Sequence, residues 1–150
     1  MNTIHDLGSM LPVPGAEKYG EHSFHSCGVA YDNVLAAGMK PFVELSFIPN
    51  KLASDRASGF LYYKPNTSPP ADYGAWKEYI SAFIRYLEHR YGAEEVRTWY
   101  FEVWNEPDLG SVFFSGGQNT YLKLYQSTVE AIKEVDPGIK VGGPATSGSR

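Results

Sequence analysis

The residues best suited to chemistry lie in one run, Trp104-Asn105-Glu106-Pro107, which closes the apolar stretch Val96-Arg97-Thr98-Trp99-Tyr100-Phe101-Glu102-Val103. The β-branched and aromatic side chains of that stretch predict a buried strand over 96–104, and Pro107 predicts its end, because proline cannot donate into a sheet. Glu106 is thereby expected at the C-terminal tip of a strand, where parallel α/β architectures collect their reactive groups. Pro107 also predicts extended backbone at Glu106, since its ring clashes with helical geometry in the preceding residue. A carboxyl group fixed in this way can give and take a proton. Its neighbours offer an amide for a hydroxyl group, Asn105, and a ring for stacking, Trp104. We read Glu106 as a catalytic acid/base and Asn105 and Trp104 as substrate contacts. The plainer alternative is a solvated turn, and Glu-Pro alone would favour it.

A reactive strand tip needs elements packed beside it, and the chain supplies them in alternation. Cys27, Ala30, Tyr31, Val34 and Leu35 fall at helical spacing, with Ser23 or Ser26 as the expected cap and Gly38 as the stop. Residues 39–47 read as a strand buried on both faces, interrupted by Glu44, which must find a partner there. Residues 48–71 read as a long loop that walls a cleft, carrying Tyr62, Tyr63 and Lys64. From Asp72, an expected cap, Trp76, Tyr79, Ile80, Phe83, Ile84, Leu87 and Tyr91 form one helical stripe that ends at Gly92. After the Glu106 strand comes a loop with Phe113 and Phe114. A further helix runs through Tyr121, Leu124, Tyr125, Thr128, Val129 and Ile132, capped by Asn119 or Thr120 and closed at Asp136-Pro137-Gly138. Residues 139–144 give a last short strand. Residues 1–22, rich in Gly and Pro, read as loop.

Helix and strand alternate three times, the order of right-handed β/α units in a parallel sheet. At 150 residues the chain is long enough for one core, but a closed eight-stranded barrel takes about 250. Three strands leave two open edges, so weak stability is expected of this stretch alone. Acids and bases are interspersed around a formal charge of −4, which offers no basic patch for nucleic acid or for an anionic membrane. No apolar run of membrane-spanning length, leader or repeat is visible, which points weakly to a cytoplasmic location. The single cysteine, Cys27, reads as a small buried hydrophobe.

Three segments at these separations, Pro41-Phe42-Val43-Glu44-Leu45-Ser46-Phe47, Phe101-Glu102-Val103-Trp104-Asn105-Glu106-Pro107-Asp108 and Val141-Gly142-Gly143-Pro144-Ala145, resemble glycoside hydrolase family 39, particularly its β-xylosidases. The resemblance covers roughly residues 24–148 and extends weakly to His5-Asp6. It implies that residues 1–150 are part of a (β/α)8 TIM-barrel catalytic domain, about strands three to five with their helices. It implies a retaining glycosidase acting on xylosides or xylo-oligosaccharides, with Glu106 as acid/base and Asn105 on the sugar's 2-hydroxyl. The family's nucleophilic Glu has no counterpart in the sequence, so the stretch alone is expected to be inactive. A tryptophan expected after the catalytic strand is replaced around Phe113-Phe114.

Retaining hydrolysis uses two carboxyl groups about 5–5.5 Å apart and needs neither metal nor organic cofactor. Glu44 and Glu102 are the other strand carboxylates, but both fall inside their strands rather than at the tips. Two alternatives stand beside this reading. One is an α-L-iduronidase-like enzyme, in which Lys64 or Lys140 would clamp the sugar carboxylate. The other is a carbohydrate-binding protein that stacks sugars on its aromatics without turnover.

Overall fold

The computed structural model describes residues 2–3, 18–19, 22–56 and 65–148. Four strands form a parallel sheet: β1 (Asn2–Thr3), β4 (Phe42–Glu44), β5 (Tyr100–Glu102) and β6 (Lys140–Gly142), in that spatial order. β2 (Lys18–Tyr19) and β3 (His22–Ser23) make a separate antiparallel hairpin. The helices are α1 (His25–Ala36), α2 (Tyr73–Tyr91), the short α3 (Ala93–Val96) and α4 (Gly117–Val135). Residues 1–22 are thus not wholly loop, because Asn2 and Thr3 pair with Val43 and Glu44. His5 and Asp6 lie outside the described residues.

The expected parallel α/β arrangement is present, and it rests on a helix-facing core. Val43, Leu45, Phe101 and Val103 are at most 2% exposed, whereas Phe42 and Tyr100, one residue off in the pleat, are 49% and 54% exposed on the other face. From α2, Trp76, Tyr79, Ile80, Phe83, Ile84 and Leu87 fill the space under the sheet, each worth about 1.5–3 kcal/mol of burial. The Trp76 indole N–H donates to Thr128 Oγ1 at 2.9 Å and the Ser81 hydroxyl to the Ala131 carbonyl at 3.3 Å, which fixes α2 against α4. At Gly28 only a glycine lets α1 approach α2, since a Cβ there would meet the Tyr86 hydroxyl at 2.1 Å.

Helix signals held where a side chain could reach the backbone. Asp72 caps α2, accepting from Gly74 N at 2.7 Å and Ala75 N at 3.3 Å. The caps expected of Ser23, Ser26, Asn119 and Thr120 do not form: Phe24 and Gly116 occupy those places without side-chain hydrogen bonds.

The strands are shorter than the sequence predicts. Val96 ends helix α3, and Thr98 and Trp99 continue a helical turn through bonds to Glu95 O and Val96 O. The Trp99 ring is buried between Tyr31 and Tyr91, and its indole N–H donates to Glu95 Oε1 at 2.9 Å. Aromatic burial there is satisfied without sheet pairing. Residues 45–48 likewise leave the regular strand yet stay buried, with Leu45 N donating to Glu102 O at 2.8 Å.

Candidate active site

Beyond Glu102 the ladder continues irregularly: Val103 N donates to Gly142 O at 2.9 Å, and Asn105 pairs with Ala145 through an isolated parallel bridge. Trp104 has φ 69° and Glu106 has φ 47°, so two non-glycine residues in the left-handed region bracket Asn105. Each such residue costs about 1–3 kcal/mol and persists only where its surroundings hold it. Here the hold is the Glu106 N–H, which donates to the Ala145 carbonyl at 2.7 Å. The expected extended backbone at Glu106 is therefore wrong. Pro107 does exclude right-handed helix at its neighbour, but the tie to Ala145 selects the left-handed alternative and turns the chain sharply off the strand. Pro107 then opens a 3-10 segment, Pro107–Val112, where its fixed φ and missing N–H cost nothing.

Asn105 and Glu106 are half-buried beside each other at the C-terminal end of the sheet. Trp104 is not open to a ligand. Its ring is fully buried, edge-on to Phe47 at 5.6 Å and to Phe114 at 5.0 Å, and its indole N–H donates to the Phe113 carbonyl at 2.9 Å. It offers no exposed stacking face in this geometry, because the residues around 113–114 close over it. Local composition carries no signal for this, since burial at 104 depends on the path of the loop that follows.

The loop after β4 reaches the same end of the sheet. Asn66, Thr67 and Ser68 are at most 1% exposed; Asn66 Nδ2 donates to Asn50 Oδ1 at 3.0 Å and to Asp55 O at 2.8 Å, and Ser115 N donates to Thr67 O at 2.9 Å. A strap of buried polar residues thus links the loops after β4 and β5. Tyr62, Tyr63 and Lys64 lie outside the described residues.

The other two strand carboxylates sit below the tip. Glu44 and Glu102 are register partners on β4 and β5. Glu44 is 3% exposed and accepts the Ser46 hydroxyl. Glu102 keeps Oε2 shielded from solvent without a hydrogen-bond partner among the described residues, and desolvation raises its carboxyl above the ordinary range. Lys140 opens β6 with its ammonium 4.8 Å over the Tyr100 ring, at the end of the sheet opposite Glu106. Parallel strands put first and last residues at opposite ends, so Lys140 cannot serve as a clamp at the Glu106 tip. Cys27 is buried, and desolvation pushes its thiol up to about 12. Among the described residues no group of three or more His, Cys, Asp or Glu could hold a metal ion.

One feature of the tip has no sequence signal. The Asp108 carboxylate accepts the Ser147 N–H at 2.9 Å and the Ser147 hydroxyl at 2.8 Å, 39 residues away. With Asn105–Ala145 and Glu106–Ala145, it makes a row of ties between residues 105–108 and 145–147.

Comparison with known proteins gives this geometry a family context. The model of the family described as glycosyl hydrolases family 39 matches residues 15–150. A beta-xylosidase of Caldicellulosiruptor saccharolyticus is 48% identical over 125 residues, which is 83% of this chain and 25% of that protein. A beta-xylosidase of Geobacillus stearothermophilus is 47% identical over 117 residues, 78% of this chain and 23% of that protein. The crystal structure of a beta-xylosidase from Caulobacter crescentus superposes with a TM-score of 0.77 at 46% identity, covering 83% of this chain and 25% of that one. The chain spans about a quarter of the length of these relatives.

Proposed function

Since the chain belongs to glycosyl hydrolases family 39, we propose that the protein carrying it is a retaining β-xylosidase in which Glu106 is the general acid/base. The observation that carries this reading is the half-buried carboxylate beside Asn105, turned off the end of a parallel strand and pinned there by its own N–H to Ala145. In the first step Glu106 gives its proton to the glycosidic oxygen as the bond to the anomeric carbon breaks, while a second carboxylate attacks that carbon. In the second step Glu106 takes a proton from water, whose oxygen displaces the carboxylate. Asn105 donates to the sugar's 2-hydroxyl. Trp104, with its ring locked behind the tip, positions Asn105 and Glu106 rather than stacking on the sugar.

Glu44 and Glu102, expected inside their strands, are instead the last residues of β4 and β5, in one register layer below Glu106; in this reading the attacking carboxylate comes from outside the described residues. The parallel sheet, its uncovered face with Phe42 and Tyr100, and relatives about four times longer support a (β/α)8 barrel of which these strands are one arc. The substrate class follows the two beta-xylosidase relatives. The test uses the full-length protein. Glu106→Ala should lower kcat on xylobiose by about 10²–10⁴-fold, spare glycosylation by 2,4-dinitrophenyl β-xyloside, and yield β-xylosyl azide when azide is added. Equal losses on both substrates with no azide product would overturn the assignment.

A further inference from the structure

We infer that Asp108 and Ser147 are positioning residues for the acid/base: their two-point hydrogen bond holds the left-handed turn that aims Glu106. The inference rests on the reading of Glu106 above. Three observations carry it. Trp104 and Glu106 both occupy the left-handed region without being glycine, so the turn depends on outside contacts to stay as it is. On the strand side those contacts are the Asn105–Ala145 bridge and the Glu106 N–H to Ala145 O bond of 2.7 Å. On the far side the link is Asp108, whose two carboxylate oxygens take the N–H and the hydroxyl of Ser147 at 2.9 and 2.8 Å.

Glu106 therefore stands between a main-chain tie and a charged side-chain tie, both made to the loop after β6. With only the first, the turn could pivot about Ala145. With both, the segments on either side of Glu106 are anchored to that loop, which holds the direction in which its Cα–Cβ bond leaves the backbone. A carboxylate with two donors is also a stronger anchor than a neutral acceptor.

The placement of the pair separates this role from a purely structural one. Asp108 and Ser147 are both exposed, and neither contributes to the core. An exposed pair of this kind contributes little to global stability. Its loss should appear in the step that needs a well-aimed proton, where a displacement of about 1 Å can cost up to 10²-fold.

In the full-length protein, Asp108→Ala should lower kcat/KM on xylobiose by about 10- to 100-fold, with a much smaller change in kcat/KM on 2,4-dinitrophenyl β-xyloside, whose leaving group needs no proton in the first step. The melting temperature should stay close to that of the wild type. Asp108→Asn keeps an acceptor for the Ser147 N–H and should recover most of the lost activity. Ser147→Ala removes only the hydroxyl and should give a smaller loss of the same kind, which keeps the question answerable if Asp108→Ala does not fold. Equal losses on the two substrates, no loss on either, or an Asn variant no better than Ala would overturn the inference. Glu106→Ala measured alongside identifies what has failed. If it discriminates between the substrates and Asp108→Ala does not, the positioning role alone falls; if it does not discriminate, the acid/base reading falls and this inference with it.

Discussion

Glu44 and Glu102 lie opposite each other on neighbouring parallel strands, two carboxyl groups in one register layer below the tip that bears Glu106. The pair is unequal. Glu44 has the Ser46 hydroxyl, whereas Oε2 of Glu102 is shielded and has no partner among the described residues. Shielding of Oε2 from solvent without a donor disfavours the charged form of Glu102.

A pH dependence follows for Glu102. Its folded pKa is raised by desolvation, so its contribution to stability is fully present below the unfolded value of about 4.3 and is lost as pH rises through the folded one. Glu102→Gln in this chain should match the wild type near pH 4 and exceed it in melting temperature near pH 8. A gap that does not change with pH would refute the claim.

The opposite sign applies at the far end of α4. Arg97 Nε donates to Asp136 Oδ2 at 2.7 Å, and that guanidinium, with the Gly138 N–H, holds the Asp136 carboxyl below its usual range. The stabilisation is present above the unfolded carboxylate value of about 3.9 and is lost as pH falls through the depressed one. Arg97→Ala should destabilise at pH 7, and urea titrations should show the difference closing towards pH 3. A difference that widens on acidification would refute it.

Trp104 is expected to matter through its place in the packing. Trp104→Phe leaves the Phe113 carbonyl without its donor, at a cost of about 1–3 kcal/mol, and Trp104→Ala should cost about 3–5 kcal/mol. Chemical denaturation measures both. A Trp104→Ala loss under about 1 kcal/mol would mean that the ring is not the buried wall described above.

Between the helices, Thr128→Val leaves the Trp76 indole N–H buried without its acceptor and should cost about 1–3 kcal/mol. Adding Trp76→Phe removes the orphaned donor, so a double-mutant cycle should give a coupling of about 0.5–3 kcal/mol. Strict additivity of the two losses would show that the bond does not join α2 to α4.

The sequence was most legible where structure is decided locally. The stripe from Trp76 to Tyr91 and the Asp72 cap define α2 almost to the residue, because a helix is specified by neighbours three and four positions apart. Residues 96–99 misled for the converse reason. Their strand-like composition serves an aromatic cluster with Tyr31 and Tyr91, which a local window cannot contain. The Glu106 tip was legible in its position but not in its conformation. Pro107 narrows the choice of backbone, while the selection is made by Ala145, across a helix and a strand. Lys140 failed as a clamp on direction alone: charge can be read from composition, but which end of a sheet it marks cannot.

The tether from Glu106 to Ala145 is peptide to peptide. Evolution can therefore redraw the side chain at 145 without loosening the turn, and a saturation library there should recover many functional substitutes. The intolerance falls instead on the donor's own nitrogen, which every amino acid but proline supplies.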